Sequence, residues 1–200
     1  MGENNKGYIG YYELTEWWLE TFSEHEIKYI IETFQPINGS GNSLVKGNIT
    51  QTNETSISFL TNLSAWFKNE NDRTIGFEII NKAEELLSET SNLLDAHYLF
   101  QTKIQLLYKW RDDNDILNEI INVCKQQIAI SNEVKSQFIK ENKREPLPFH
   151  KGFEQLAIIE EKRNNYQHAI DISTKAMKEG WFGEWENRIE RCNKKLSKQK

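Results

Sequence analysis

Apolar residues recur along this chain at steps of three and four, in runs separated by polar turns, which is the signature of amphipathic helices. The earliest run, Tyr11, Leu14, Trp17, Trp18 and Phe22, predicts one such helix. Ser23 followed by Glu26 is a capping box that opens a second, with Ile27, Ile30, Ile31 and Phe34 inward and Pro36 as its stop. The chain then changes character. Residues 35–55 are rich in Gly, Asn, Ser and Thr, with a weak hairpin signal at Asn38-Gly39 and with Leu44, Val45 and Ile49 as its apolar anchors. A connection of that length is either functional or mobile.

Helical periodicity resumes at residue 56. Phe59, Leu60, Leu63, Trp66 and Phe67 mark a third helix capped by Thr55 or Ser56, and Ile75, Phe77, Ile79, Ile80, Ala83, Leu86 and Leu87 mark a fourth. Leu94, Tyr98, Ile104, Leu107 and Tyr108 form the next, starting near Asp95. Ile116, Leu117, Ile120, Ile121, Val123, Cys124 and Ile128 follow on a helix expected to run on through Val134 and Phe138 towards Lys140. The Pro-containing stretch 141–150 breaks it, because residues before Pro leave the helical region. Two further helices follow, one carrying Phe149, Phe153, Leu156 and Ile159 and the next Tyr166, Ala169, Ile170, Ile172, Ala176 and Met177, separated by Asn164-Asn165 and closed by Gly180 as a C-cap. Trp185, Ile189, Cys192 and Leu196 give a terminal helix.

Within this pattern Phe153, Leu156, Ala157, Tyr166, Ala169 and Ala176 resemble the tetratricopeptide-repeat (TPR) motif, a helix–turn–helix unit of ~34 residues. The small residues place the seam where two backbones come close. Their spacing, twelve and then seven residues, recurs at Ser64, Gly76 and Ala83. Glu160 and Trp181 depart from the motif, standing where the family often has an aromatic and a Pro. Residues 94–128 form a looser pair, with Ile104 and Ile120 at the close-packing points. The resemblance implies an all-α, short right-handed TPR-like α-solenoid with an N-terminal helical hairpin and a C-terminal capping helix. Its expected parts are a disordered tail over 1–7, the hairpin and loop over 8–55, one continuous array over 56–196, and a basic tail over 197–200.

The family binds extended peptides in a groove lined by the first helix of each unit, and one branch clamps a terminal carboxylate with Lys, Asn and Arg. Carried onto this chain, the groove positions are Thr61, Asn62 and Ala65; Tyr98, Gln101 and Gln105; and Lys151, Glu154, Gln155 and Ile158. Asn62 and Lys151 suit a clamp. Gln155 stands where that branch has Arg, and Glu154 repels a carboxylate. Adjacent residues on a helix point about 100° apart, so with Trp17 inward Trp18 is the ring expected at the surface. The partner-binding candidates are therefore Asn62, Tyr98, Gln101, Lys151, Gln155 and Trp18.

Composition narrows the classes. Charge is 28% and mixed, with a net of −5, which disfavours nucleic acid. No apolar run approaches the ~20 residues that cross a bilayer, and no signal peptide opens the chain, so no membrane is involved and the expected compartment is the cytoplasm. Cys124 and Cys192 stand singly, without the spacing of a disulfide framework or a zinc site. Twenty Asn, with abundant Lys and Ile, suit an AT-rich bacterial or phage genome.

Candidate chemistry is sparse. His25-Glu26 begins like a zincin motif, but Tyr29 stands where the second His belongs. Lys46 precedes Gly47 rather than following it, so the glycines around it do not form a phosphate loop. The histidines, His25, His97, His150 and His168, fall singly on different elements, and Cys124 lies on an apolar face. No catalytic constellation and no cofactor are expected. The sequence reads as a non-enzymatic adaptor for a protein or peptide partner, engaged through the groove and the 35–55 loop. The alternative is a small-molecule or signal-peptide sensor with a pocket in the helical stack, lined by Trp18, Tyr98 and Lys151. A homodimer through Trp18 or the terminal helix is allowed.

Overall fold

A computed structural model describes residues 7–37, 39–89, 92–142 and 147–198. They are all-α in class, with 75% helix and eleven α-helices. Of the tail expected over 1–7, Gly7 is instead buried and helical; residues 1–6, Asn38 of the expected turn and residues 143–146 of the expected 141–150 break fall outside the described residues. The chain divides into two compact units, Met1–Thr90 and Ser91–Lys200. The hairpin after residue 55 thus groups with the N-terminal helices rather than with the later ones.

Unit 1 holds α1 (Gly7–Tyr11), α2 (Thr15–Thr21), α3 (Glu24–Thr33), α4 (Ser56–Ser64) and α5 (Arg73–Glu85). The single helix expected over Tyr11–Phe22 is instead broken between α1 and α2, where Glu13 takes φ 58°. Aromatic packing accounts for the break. The rings of Tyr8 and Tyr12 stack on Phe59 at 5.4 and 5.1 Å, and Tyr12 Oη donates to the Glu54 carbonyl at 2.8 Å, which turns α1 onto the start of α4. The capping box forms as expected, with Ser23 Oγ accepting from Glu26 N–H and the Glu26 carboxylate accepting from Ser23 N–H. Ser64 and Ala83 are fully buried where α4 meets α5, as their spacing predicted.

The 35–55 segment is anchored. Its 3-10 turn, Gly41–Leu44, lies against α1 and α3 with Leu44 fully buried, and Gly7 N–H donates to the Gly47 carbonyl at 3.1 Å. A Cβ on Gly41 would sit 1.7 Å from the Ile31 carbonyl oxygen, so only glycine permits this approach.

Unit 2 holds α6 (Leu93–Leu107), α7 (Asn114–Ala129), α8 (Ser131–Asn142), α9 (Lys151–Lys162), α10 (Tyr166–Glu179) and α11 (Trp185–Leu196). Helices α6, α7, α9, α10 and α11 pack successively, each on the next. The helix expected to continue past Ile128 stops at Ile130 (φ −93°, ψ 3°), and α8 sets off separately, burying Val134 and Phe138. Ala157, Ala169 and Ala176 are fully buried in the α9–α10 seam. Gly180 closes α10 in the left-handed region, its N–H donating to the Ala176 and Met177 carbonyls.

Both departures from the repeat motif have physical reasons. The Glu160 carboxylate accepts from Asn165 Nδ2 at 2.9 Å and meets His168 Nδ1 at 3.2 Å, tying down the α9–α10 turn. Trp181 begins a short parallel pair, β1 (Leu147–Phe149) with β2 (Trp181–Phe182), and is only 2% exposed. Its Nε1 donates to Glu179 Oε2 at 2.9 Å, and its carbonyl accepts from Trp185 Nε1 at 2.7 Å.

Gly41→Ala is expected to lift the 3-10 turn off α3. The loss should be about 2 kcal/mol or more, the range of overpacking against backbone, with faster proteolysis within 35–55. Thermal melting with limited digestion measures both; an unchanged melt would mean that the docked turn contributes nothing to stability.

Candidate functional site

The six residues proposed from sequence do not assemble into one site. Asn62 and Trp18 belong to unit 1. Asn62 is exposed, with Nδ2 donating to Glu54 Oε1 at 2.7 Å. Trp18 corrects the expectation of an exposed ring, since it is only 2% exposed. The inward stripe is Leu14–Trp18–Phe22, at steps of four. Trp18 and Phe22 meet edge to face at 5.1 Å, while Trp17 takes the half-buried flank.

The other four come from α6 and α9, which touch within unit 2. Tyr98 is 45% exposed, its ring edge-on to His97 at 5.4 Å and to Phe138 at 6.2 Å. Lys151 is half-buried and paired with Glu154 at 2.7 Å. Gln155 corrects a second expectation. It is 1% exposed and cannot reach a groove, because α9 turns that face inward alongside Phe153 and Leu156. Gln101 is partly exposed, but its Oε1 is buried; neither that oxygen nor Gln155 Nε2 has a hydrogen-bond partner among the described residues.

Beneath Tyr98 lies a cluster that sequence reasoning missed. His97 and His150, read as scattered histidines, meet with ring centroids 5.1 Å apart, both fully buried. Trp181 stacks on His97 at 5.7 Å and meets His150 edge-on at 4.7 Å, while Phe153 closes the far side of His150 at 4.6 Å. Gln127, also fully buried, ties the elements together. Its Nε2 donates to the His97 carbonyl at 2.9 Å, and its Oε1 accepts from Gly152 N–H at 2.6 Å. A Cβ on Gly152 would lie 2.8 Å from that Oε1 and 2.9 Å from the Cys124 carbonyl oxygen, so the tie depends on a glycine there. The next free N–H of α9, that of Phe153, reaches His150 Nδ1 at 3.4 Å, which makes His150 the N-cap. The signal was present in sequence. Gln127 continues the inward stripe Ile120–Cys124, a polar residue at an apolar position.

These contacts fix protonation. An Nδ1 that accepts a hydrogen bond leaves the proton of a neutral imidazole on Nε2. His150 Nδ1 accepts from Phe153 N–H, and Gln127 Nε2 approaches His97 Nδ1 at 3.4 Å. A metal-ligating histidine normally donates its other ring N–H to an acceptor; here that second nitrogen faces donors. Among the described residues no three His, Cys, Asp or Glu side chains group to hold an ion. Burial lowers His97 to about 4 and His150 to about 3, the latter helped by His97 itself, with Lys175 also facing it. The Cys124 thiol is pushed up to about 12 by burial, with Lys151 opposing, so it carries no thiolate near neutral pH.

A second electrostatic centre secures α11. Glu161 Oε1 accepts from Arg191 Nε at 2.8 Å and Lys195 Nζ at 2.9 Å, and Oε2 from Arg188 Nη1 at 3.1 Å and Arg191 Nη2 at 2.9 Å. The Arg191 bonds foremost, then Lys195, hold its carboxyl down at about 2 against burial. Part of the C-terminal basic run is thereby neutralised. No helix among the described residues is long and apolar enough to cross a membrane.

No family model, no curated protein and no solved structure matches this chain.

The pH dependence of stability follows from the neutral rings. Their folded values lie below the ordinary 6.5, so the folded state binds fewer protons than the unfolded chain. Their stabilisation is complete above about pH 6.5 and is lost as pH falls towards 4 and then 3. The slope should reach about 1.4 kcal/mol per pH unit for each ring. Urea midpoints measured from pH 7 to 4 are expected to fall, and His97→Gln to remove one ring's share of the slope. Glu161 acts in a lower window, below about pH 4.5, so it leaves the upper part of that range to the histidines.

Proposed function

We propose that this chain is a non-enzymatic, TPR-like binding protein that engages a protein or peptide partner on the face of unit 2 around Tyr98. One observation carries the reading. Tyr98 leaves nearly half its surface in solvent while its ring is held edge-on by two buried rings, His97 and Phe138. An exposed aromatic already fixed in position loses little entropy on binding, which is what makes Tyr a frequent interface anchor. Ile139 on α8, 38% exposed, adds apolar surface of the same unit. Lys151 supplies a charge on α9 that is shared with Glu154.

The TPR-like architecture is supported by the two small-residue seams at equal spacing and by the successive packing of α6, α7, α9, α10 and α11. A binding role also suits the chemistry of unit 2, where the buried imidazoles are poor bases and the Cys124 thiol is a poor nucleophile. The sensor reading is favoured by a different observation, a cavity of about 200 Å³ beside Tyr108.

Affinity capture from the native host, followed by mass spectrometry, tests the adaptor reading. A partner enriched by wild type should be lost about tenfold or more with Tyr98→Ala, the scale of a hot-spot aromatic, and reduced with Lys151→Glu. Circular dichroism must show both variants folded. Equal capture by wild type and both variants would remove this face from the function.

A further inference from the structure

We propose that the cavity between the α6–α7 turn and the end of α9 binds a phosphomonoester dianion. The inference goes beyond the partner-binding reading and does not rest on Tyr98. The cavity, about 200 Å³, is lined by cations from two separate segments, Arg111 from the turn and Lys162 and Arg163 from the end of α9. Asp112 is the one carboxylate in its lining. Within the lining, three cations against one carboxylate leave two positive charges, in a chain whose net charge is −5; the Glu160 carboxylate, held by Asn165 and His168, also faces Arg163 from behind. Among the described residues none of the three cations is in an ion pair, whereas Arg188, Arg191 and Lys195 are all taken up by Glu161.

Two of the cations are positioned without a ligand. The Arg111 guanidinium lies 4.6 Å from the Tyr108 ring centroid, and its Nη1 donates to the Tyr108 carbonyl at 2.9 Å. The remaining N–H groups of that fork can address a further acceptor. Lys162 Nζ lies 3.4 Å from Tyr108 Oη and 5.9 Å from the ring centroid. Cations held on an aromatic scaffold lose little freedom when an anion arrives. Lys and Arg at the end of α9 also complement its carbonyl dipole, the ordinary role of such residues. That role does not account for Arg111, which comes from another segment and leans on the same ring.

Size and charge set the ligand class. The volume lies below the ~300–1,000 Å³ of drug-sized sites, so the cavity admits an anionic group on a short stem rather than a whole nucleotide. Leu117 and Ile159 give that stem an apolar wall. A carboxylate would leave one positive charge over, while a phosphoryl group carries a charge of about −1.5 to −2 at pH 7 and presents three acceptor oxygens to three donors. The group could come from a phosphorylated side chain of a protein or from a small free phosphomonoester.

The test is titration of the full chain with inorganic phosphate, glycerol phosphate and a phosphoserine peptide, with acetate and sulfate as controls, followed by amide NMR shifts. Saturable shifts at residues 108–117 and 159–163 are expected. Lys162→Gln with Arg111→Gln should weaken binding tenfold or more, Arg111→Lys should weaken it less, and Asp112→Asn should strengthen it severalfold. Binding should weaken from pH 8 to pH 5 as the ligand takes up its second proton, near pH 6. The groups facing the cavity are Arg111, Lys162, Arg163, Asp112 and Tyr108, with Glu160 and its partner His168 beyond Arg163. The fixed charge of sulfate calibrates any change in the protein's own charge over that pH range. A phosphopeptide tighter by tenfold or more than glycerol phosphate assigns the site to a modified protein, and the reverse order to a free metabolite. No saturable binding, equal affinity for acetate, or unchanged affinity in a folded Lys162→Gln, Arg111→Gln protein would overturn the proposal. Loss of capture in Tyr98→Ala leaves this result unaffected, so the two readings fail separately.

Discussion

The side-chain amide of Gln127 is the contact on which unit 2 most depends. It lies on α7, fully buried, and satisfies one backbone group on each of two other helices, the His97 carbonyl on α6 and the Gly152 N–H in the first turn of α9. A helix start leaves its first N–H groups without partners. In α9 two of them are met from inside the core, by Gln127 and by the His150 ring. Leaving such a group unpaired costs roughly 1–3 kcal/mol, so α9 is held at the one position where both bonds close. Trp181 then seals the cluster, stacked on His97 and edge-on to His150, with its indole N–H satisfied by Glu179.

The distribution of charge follows a similar logic in reverse. On α11 the cations have a function inside the fold, because one nearly buried carboxylate, Glu161, draws three of them onto the end of α9. At Tyr108 the cations gather around an aromatic ring, with Asp112 as the lone acid in the lining. A fold that pairs off its positive charge at Glu161 and leaves it available beside Tyr108, at the next residues of the same helix end, distinguishes scaffold from surface by chemistry rather than by exposure alone.

Much of the fold was legible in the sequence, and what was legible had local causes. The Ser23–Glu26 box, the Thr55 cap, the Asn164-Asn165 turn and the Gly180 cap each depend on a few neighbouring residues. The alanine seams were legible because only small side chains fit there. The misreadings had non-local causes. The α1–α2 break comes from Tyr8 and Tyr12 packing on Phe59, some fifty residues on. Trp18 was assigned to the surface because Trp17 and Trp18 both continue the Leu14 period, and only the partner surface decides which turns in. Of the candidate site, Tyr98 and Lys151 keep accessible positions, but Gln155 is core and Asn62 is tied to Glu54 in the other unit. His97 and His150 lie 53 positions apart, and no spacing rule connects them.

Repeat-like packing and buried polar contacts therefore constrain different degrees of freedom. A seam of Ala157, Ala169 and Ala176 sets how close two helices approach, yet it tolerates sliding, since dispersion between small apolar surfaces varies little with a shift along the axis. Hydrogen bonds do not tolerate it, because they weaken steeply with angle and distance. Gln127 and His150 add directional contacts that the apolar stripes lack, at the cost of two imidazoles kept neutral by burial. They also place His97 behind Tyr98, so the register that stabilises the core is the same one that holds the exposed ring in position.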